Sequence, residues 1–128
     1  MDAVASFYKT AQPNKPGSFE ARQELHDLVC KYAIAIDARD LNMIVDLYVD
    51  DIRVGESRGR LALAAQFDKA LRQFTASSHQ ITGQVVEFID SDTALGIVAC
   101  RVEHEVAADW VTAVIHYHDK YQRRAGRW

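Results

Sequence analysis

Apolar positions along this chain change period once. From Ser18 to about Arg39 they recur at helical spacing, and Leu25, Leu28, Val29, Tyr32, Ala33 and Ile36 fall on one stripe. Ser18 has the chemistry of an N-cap. "ARD" breaks the stripe, and Asp40 is placed to cap a second, short helix carrying Leu41, Ile44, Val45 and Tyr48. A third helix is expected from about Leu61 to Thr75, with Leu63, Phe67, Leu71 and Phe74 facing inward. "VDDIRVGESRGR", between the second and third helices, reads as a turn with room for a short strand. After residue 76 the period drops from 3.6 to 2. Residues 78–89, 94–107 and 110–124 read as three long strands rich in Val, Ile, Thr and aromatics. Helices first and antiparallel strands afterwards predict an α+β plan, with three N-terminal helices packed on one face of a meander. Residues 1–18 hold both prolines and end in a turn-forming cluster, so they are expected to form a loose arm ahead of a domain spanning 19–128.

Composition narrows the class without naming a function. At 128 residues and 48% hydrophobic the chain suits one domain with a core of ordinary size. A net charge of −3 with mixed signs gives no basic surface for nucleic acid. No stretch approaches the ~18 apolar residues of a membrane span, and the N-terminus lacks a signal pattern. A cytoplasmic protein is the expectation. Cys30 and Cys100 sit in apolar surroundings without metal-ligand spacing and read as buried, reduced thiols.

Candidate chemistry starts with two histidines. In an antiparallel hairpin, paired residue numbers have a constant sum. If "DSDT" supplies a two- or four-residue loop between the first two long strands, that sum is 183, which sets His79 directly opposite His104. Their face would carry Ile81, Gly83, Val85, Val98, Cys100 and Val102. Gln80, Thr82, Gln84, Arg101, Glu103 and Glu105 would take the wetter one. A slip of one residue would separate the two rings, so the inference hangs on the turn. Buried imidazoles need polar partners, because each unsatisfied group costs roughly 1–3 kcal/mol. Asp37, at the end of the first helix, is poorly placed there for a carboxylate, since the macrodipole favours cations. Holding an imidazole would explain its position, and a carboxylate bonded to an imidazole fixes its tautomer and raises its basicity.

"YAIAIDARDLNMIVDLYVDD", "SSHQITG" and "IHYHDKYQRRAGRW", in that order, resemble the SnoaL-like group of the nuclear transport factor 2-like superfamily over residues 20–128. The resemblance implies a cone-shaped α+β barrel, in which three helices close a strongly curved antiparallel sheet around an apolar pocket. By spacing it is strongest to the dehydratases and dehydrohalogenases of that superfamily. Asp37, His79 and His104 fall where scytalone dehydratase carries its aspartate and two pocket histidines. Tyr32 and the run from Tyr117 to Trp128 are similar to the corresponding stretches of the bile-acid 7α-dehydratase. Where those dehydratases carry a second pocket tyrosine, this chain has Glu56, an acid only if burial raises its pKa. The resemblance also implies that Tyr117 and Asp119 look inward, and that the chain stops where a last strand would open.

The resulting expectation is a cofactor-independent lyase of dehydratase type, or an isomerase, acting on a small apolar carbonyl or hydroxyl compound. Asp37, His79 and His104 would be catalytic. Tyr32, Tyr117, Glu56 and Phe67 would contact substrate, and no metal or other cofactor is called for. His116 and His118 have the H-x-H spacing of some zinc sites, but the resemblance turns Tyr117, not its neighbours, toward the pocket. Alternatives are a non-catalytic ligand-binding or subunit-assembly module of the same fold, and a ketosteroid isomerase-like or polyketide cyclase activity. Expected partners are a small apolar ligand in the cone and further copies of the chain, as a homodimer or homotrimer. Neither nucleic acid nor membrane is expected.

Overall fold

A computed structural model describes residues 17–128; the expected N-terminal arm lies almost wholly outside the described residues. Helix α1 spans Phe19–Ala38 and α2 spans Leu41–Asp46. A two-stranded hairpin, β1 (Arg53–Val54) and β2 (Ser57–Arg58), precedes α3 (Arg60–Leu71), so the helices are not an unbroken N-terminal run. Three long strands follow: β3 (Ala76–Phe88), β4 (Thr93–Val106) and β5 (Asp109–Gln122), in sheet order β3-β4-β5, all antiparallel.

Local chemistry explains the boundaries. Ser18 accepts a hydrogen bond from the Ala21 amide at 3.0 Å, and Asp40 accepts one from Met43 at 3.0 Å, so both caps act as the sequence predicts. Helix α1 ends on Arg39, held left-handed at φ 57°, with its amide on the carbonyls of Ala35 and Ile36. The Arg39 guanidinium then donates to the carbonyls of Leu71 (2.8 Å) and Phe74, tying the end of α1 to the end of α3. That end comes at Leu71 rather than Thr75, which leaves Phe74 in the link to β3.

Strand β4 is central, and its inner side chains Val98, Cys100 and Val102 are fully buried. Leu25, Val29, Phe88, Ala94, Val98 and Tyr121 form one core cluster; Ala35, Ile36, Ile44 and Leu71 form a second beneath α2 and α3. Cys100 is buried as expected, whereas Cys30 is only half-buried, and both are free thiols. None of the described helices is long and apolar enough to cross a membrane.

The register departs from the expected one. Phe88 pairs with Ala94, so the β3–β4 loop has five residues, and the pairing sum is 182. Between Ile81 and Gly83 the register shifts by one: Thr82 is an extra residue, a β-bulge, and the sum becomes 181. His79 therefore pairs with Val102, and His104 with Ser77. An odd loop alone would have sent the two histidines to opposite faces; the bulge returns them to one. The odd loop also reverses the expected alternation between the turn and the bulge. Gln84, Val86 and Phe88 point to the helices, while Gly83 is exposed.

Candidate functional site

The end of α1 aims Asp37 at the start of β3. Asp37 Oδ1 accepts hydrogen bonds from Ser77 Oγ (2.9 Å) and His79 Nδ1 (2.7 Å), and Oδ2 accepts from the His79 amide (2.8 Å). Because a carboxylate can only accept, the proton of the neutral imidazole is assigned to Nδ1, and Nε2 is left with a free lone pair. The His79 side chain is 7% exposed and that of Asp37 28%, so the pair is sheltered and still reachable. The macrodipole penalty on Asp37 is offset by three donors.

His104 completes a cluster of rings. It stacks on Phe74 with centroids 3.9 Å apart and planes 12° apart, and His79 stands edge-on to it at 5.9 Å. Burial and the neighbouring His79 lower the His104 pKa below the ordinary histidine value, while Asp37 acts in the opposite sense. In its neutral form His104 can donate or accept a hydrogen bond.

A cavity of about 430 Å³ lies between α1, the α2–β1 connection and the inner face of β4 and β5. Tyr32, Tyr48, Ile81, Val98, Tyr117 and Asp119 are among its walls. Tyr32 and Tyr117 meet edge-on at 5.8 Å, and Phe67 packs against Tyr32 at 6.3 Å and Tyr48 at 6.0 Å. Burial raises the phenol pKa of Tyr32 and Tyr117 and pushes Tyr48 up to about 12, so all three stay neutral donors at physiological pH. Asp37, His79 and His104 are not part of this wall. They adjoin its end, because His79 is the next inward side chain of β3 after Ile81.

Two residues expected to contact substrate, Glu56 and Phe67, line no part of the cavity; Phe67 stands behind Tyr32 and Tyr48. Glu56 occupies the tight β1–β2 turn after Gly55 (φ 60°), is exposed, and lines no part of the cavity. A two-residue hairpin turn puts its side chain in water. His116 and His118 alternate with Tyr117 and are exposed on the outer face, and among the described residues no group of three His, Cys, Asp or Glu is gathered to hold a metal. Two arginines of "YQRRAGRW" bridge to the end of α2 and the α2–β1 connection: Arg124 pairs with Asp51 (2.7 Å) and Asp50 (3.1 Å), and Arg127 with Asp46 (2.6 Å). These bonds hold the final residues beside the cavity mouth. The sequence puts Tyr48 on the apolar stripe of the second helix and Gln84 on the wetter sheet face, and gives Tyr121 and Arg60 no part in the site; helical spacing marks Tyr48 as inward, but Gln84 is inward because the five-residue loop pairs it with Val98.

Helices closing a bent antiparallel sheet over a walled pocket define the α+β cone of the nuclear transport factor 2-like class. Residues 17–128 match the family model described as a SnoaL-like domain, and the chain belongs to that family. Solved structures agree on the fold. Hexachlorocyclohexane dehydrochlorinase LinA-type3 from Novosphingobium barchaimii is similar at 20% identity, TM-score 0.75, over 85% of this chain and 80% of that one. The Kfla4162 protein from Kribbella flavida is 26% identical, TM-score 0.71, over 84% and 83%. Rv3472, a protein of unknown function from Mycobacterium tuberculosis, is 23% identical, TM-score 0.75, over 87% and 72%. No curated protein matches the chain in sequence.

Proposed function

We propose that this chain is a cofactor-independent lyase of dehydratase type, or an isomerase, whose general base is His79 oriented by Asp37. The observation that carries this reading is the 2.7 Å contact between His79 Nδ1 and Asp37 Oδ1, in a carboxylate also fixed by Ser77 and the His79 amide. That arrangement presents Nε2 as a proton acceptor and stabilises the imidazolium formed when it takes a proton. His104, edge-on at 5.9 Å, would hydrogen-bond the developing enolate or protonate a departing group, and Tyr32 and Tyr117 would supply further neutral donors along the cavity. A positioned base contributes ~10²–10⁴-fold and preorganised donors a similar factor, enough for an activated C–H bond. The dehydrochlorinase among the similar structures is named for an elimination, the loss of hydrogen chloride, which supports the reaction class and not the substrate.

Proton abstraction is the step shared by dehydration, isomerisation and cyclisation, so it is the step to test. An activated ketone such as 2-tetralone, incubated with the protein in D₂O, should exchange its α-protons faster than in buffer, read by loss of the proton signal. His79→Ala and Asp37→Asn should reduce the exchange to the buffer rate in protein that still unfolds cooperatively. Exchange that survives in His79→Ala would remove His79 as the base. One observation favours a second reading, a ligand-binding module without chemistry: the 430 Å³ cavity is not walled by the Asp37–His79 pair. Ligand binding without exchange for any activated carbonyl compound would favour it.

A further inference from the structure

A second polar site lies at the far end of the cavity, and the reaction outlined above does not use it. Asp119 faces the cavity from β5. Its Oδ2 accepts the hydroxyl proton of Tyr121 at 2.8 Å, and the Tyr121 oxygen accepts from Gln84 Nε2 at 3.4 Å. Gln84 Nε2 is anchored in turn on the Leu25 carbonyl at 3.3 Å. The chain of donors therefore runs one way, from Gln84 through Tyr121 to Asp119 Oδ2. Asp119 Oδ1 makes no hydrogen bond among the described residues.

All three strands build this arrangement. The five-residue β3–β4 loop pairs Gln84 with Val98 and so turns it inward on β3. On β4, Gly96 makes room for the Tyr121 ring, since a Cβ there would lie 2.6 Å from Tyr121 Cε2. A glycine within a central strand marks such a close approach. Burial raises the Asp119 pKa above the ordinary carboxylate range, against the opposing pulls of Tyr121 and His118. With Oδ2 already accepting from Tyr121, a proton on this carboxyl belongs on Oδ1.

We propose that Asp119 is the second anchor of the ligand, hydrogen-bonding through Oδ1 to an oxygen at one end of an elongated, uncharged, mostly apolar ketone or alcohol whose other end reaches His79. The identification of His79 as the reacting pole rests on the proposed function; the anchor itself does not. Asp119 pairs with Gly96 and His79 with Val102 on the same strand, so six residues separate the two levels, at most ~20 Å. The walls between them are the aromatic faces of Tyr32 and Tyr117 and the side chains of Val98 and Ile81. An anionic oxygen in place of the ketone or alcohol would meet the lone pairs of Asp119 whenever that carboxyl is ionised.

The test is binding of an acceptor-only probe, 2-acetonaphthone, against its hydrocarbon analogue 2-ethylnaphthalene, by fluorescence titration. In the parent protein the ketone should bind about tenfold more tightly than the hydrocarbon. Asp119→Leu should erase that preference and leave the hydrocarbon's affinity unchanged, which also reports that the cavity is intact. Asp119→Asn, which keeps a donor, should retain it. Ketone affinity in the parent should fall as pH rises through the Asp119 pKa and stay flat in Asp119→Asn. Tyr32, Tyr48, Tyr117 and Tyr121 share the cavity and titrate far higher; its other charged groups include Arg60, which donates to the Tyr48 carbonyl, and the ion pairs Arg124–Asp50 and Arg127–Asp46 at the mouth, while His118 lies on the opposite sheet face. The readout is a ratio of binding affinities and needs no turnover, so failure of His79 as the base would not count against the anchor. Equal affinities for ketone and hydrocarbon in the parent, or an undiminished preference in Asp119→Leu, would overturn the proposal.

Discussion

His79 and His104 share the inner face of the sheet as diagonal neighbours: His79 sits opposite Val102, His104 opposite Ser77, and their rings meet edge-on at 5.9 Å. This relationship depends on one residue. Deleting Thr82 would remove the bulge and force one half of β3 to turn over. Either His79 leaves Asp37 for the outer face, or Val86 and the buried Phe88 do. Both alternatives cost about 3 kcal/mol or more, by loss of a large buried side chain or of the bonds satisfying Asp37. Urea unfolding of the deletion variant should show that loss. Thr82→Ala, at an exposed position, should stay within about 0.5 kcal/mol of the parent. Equal stability of the two variants would show that the bulge does not set the faces.

Asp37 is the acceptor for three donors on β3, so its removal should be felt in stability as well as activity. Asp37→Ala leaves Ser77 Oγ and both His79 donors without their acceptor in a sheltered place, and a loss of about 2–3 kcal/mol is expected in chemical denaturation. Asp37→Asn retains a carbonyl acceptor and should cost less, while α-proton exchange falls at least ~10²-fold. A stability loss in Asp37→Asn as large as that of Asp37→Ala would mean that the charge, and not the geometry, holds this corner together.

His104 makes folding stability depend on pH in a definite sense. Its pKa is lowered in the folded protein by burial and by His79, so between that value and the unfolded value near 6.5 the unfolded chain binds more protons. Its contribution is fully present above about pH 6.5 and is lost as pH falls through the folded pKa. The urea midpoint should therefore decline from pH 7.5 to pH 5, and His104→Gln should flatten part of that decline. A midpoint in the parent that rises on acidification through this window would contradict the direction of the shift.

Much of this arrangement is legible in the sequence. Helical periodicity locates α1 and α2 with their caps, and the switch to period 2 locates three strands within a few residues, because each element carries a whole apolar face. Asp37 stands out because an acid at a helix C-terminus asks for a compensating partner. The exact pairing of His79 is not legible by arithmetic from the loop: the turn has five residues, and the one-residue excess is cancelled by a bulge 6 residues before Phe88. "ITGQ" does carry a signal, since a glycine inside a strand pattern often marks a bulge. The odd loop length carries no such mark, so Gln84 is assigned to the wrong face and the link to Tyr121 and Asp119 cannot be seen. Glu56 shows the opposite failure, where matching by spacing suggested a pocket residue and a two-residue turn carries it into solvent.

The β4–β5 turn gives the last prediction, and it bears on the scaffold alone. Val106 pairs with Asp109, leaving a two-residue loop of Ala107 (φ 50°) and Ala108 (φ 69°). Positive φ at both positions is the geometry of a type I′ turn, which matches the twist of the flanking strands and favours Asn-Gly. Alanine has neither the freedom of glycine nor the local hydrogen bonding of asparagine, and a left-handed conformation costs an L-residue ~1–2 kcal/mol. The double substitution Ala107→Asn with Ala108→Gly should therefore stabilise the protein by about 1–2 kcal/mol, less the backbone entropy that glycine gains in the unfolded chain. Urea unfolding would show a higher midpoint at unchanged slope. The site lies at the opposite end of β5 from Asp119, so α-proton exchange and probe binding should not move. A lower midpoint would mean that the two alanines are not strained in this turn.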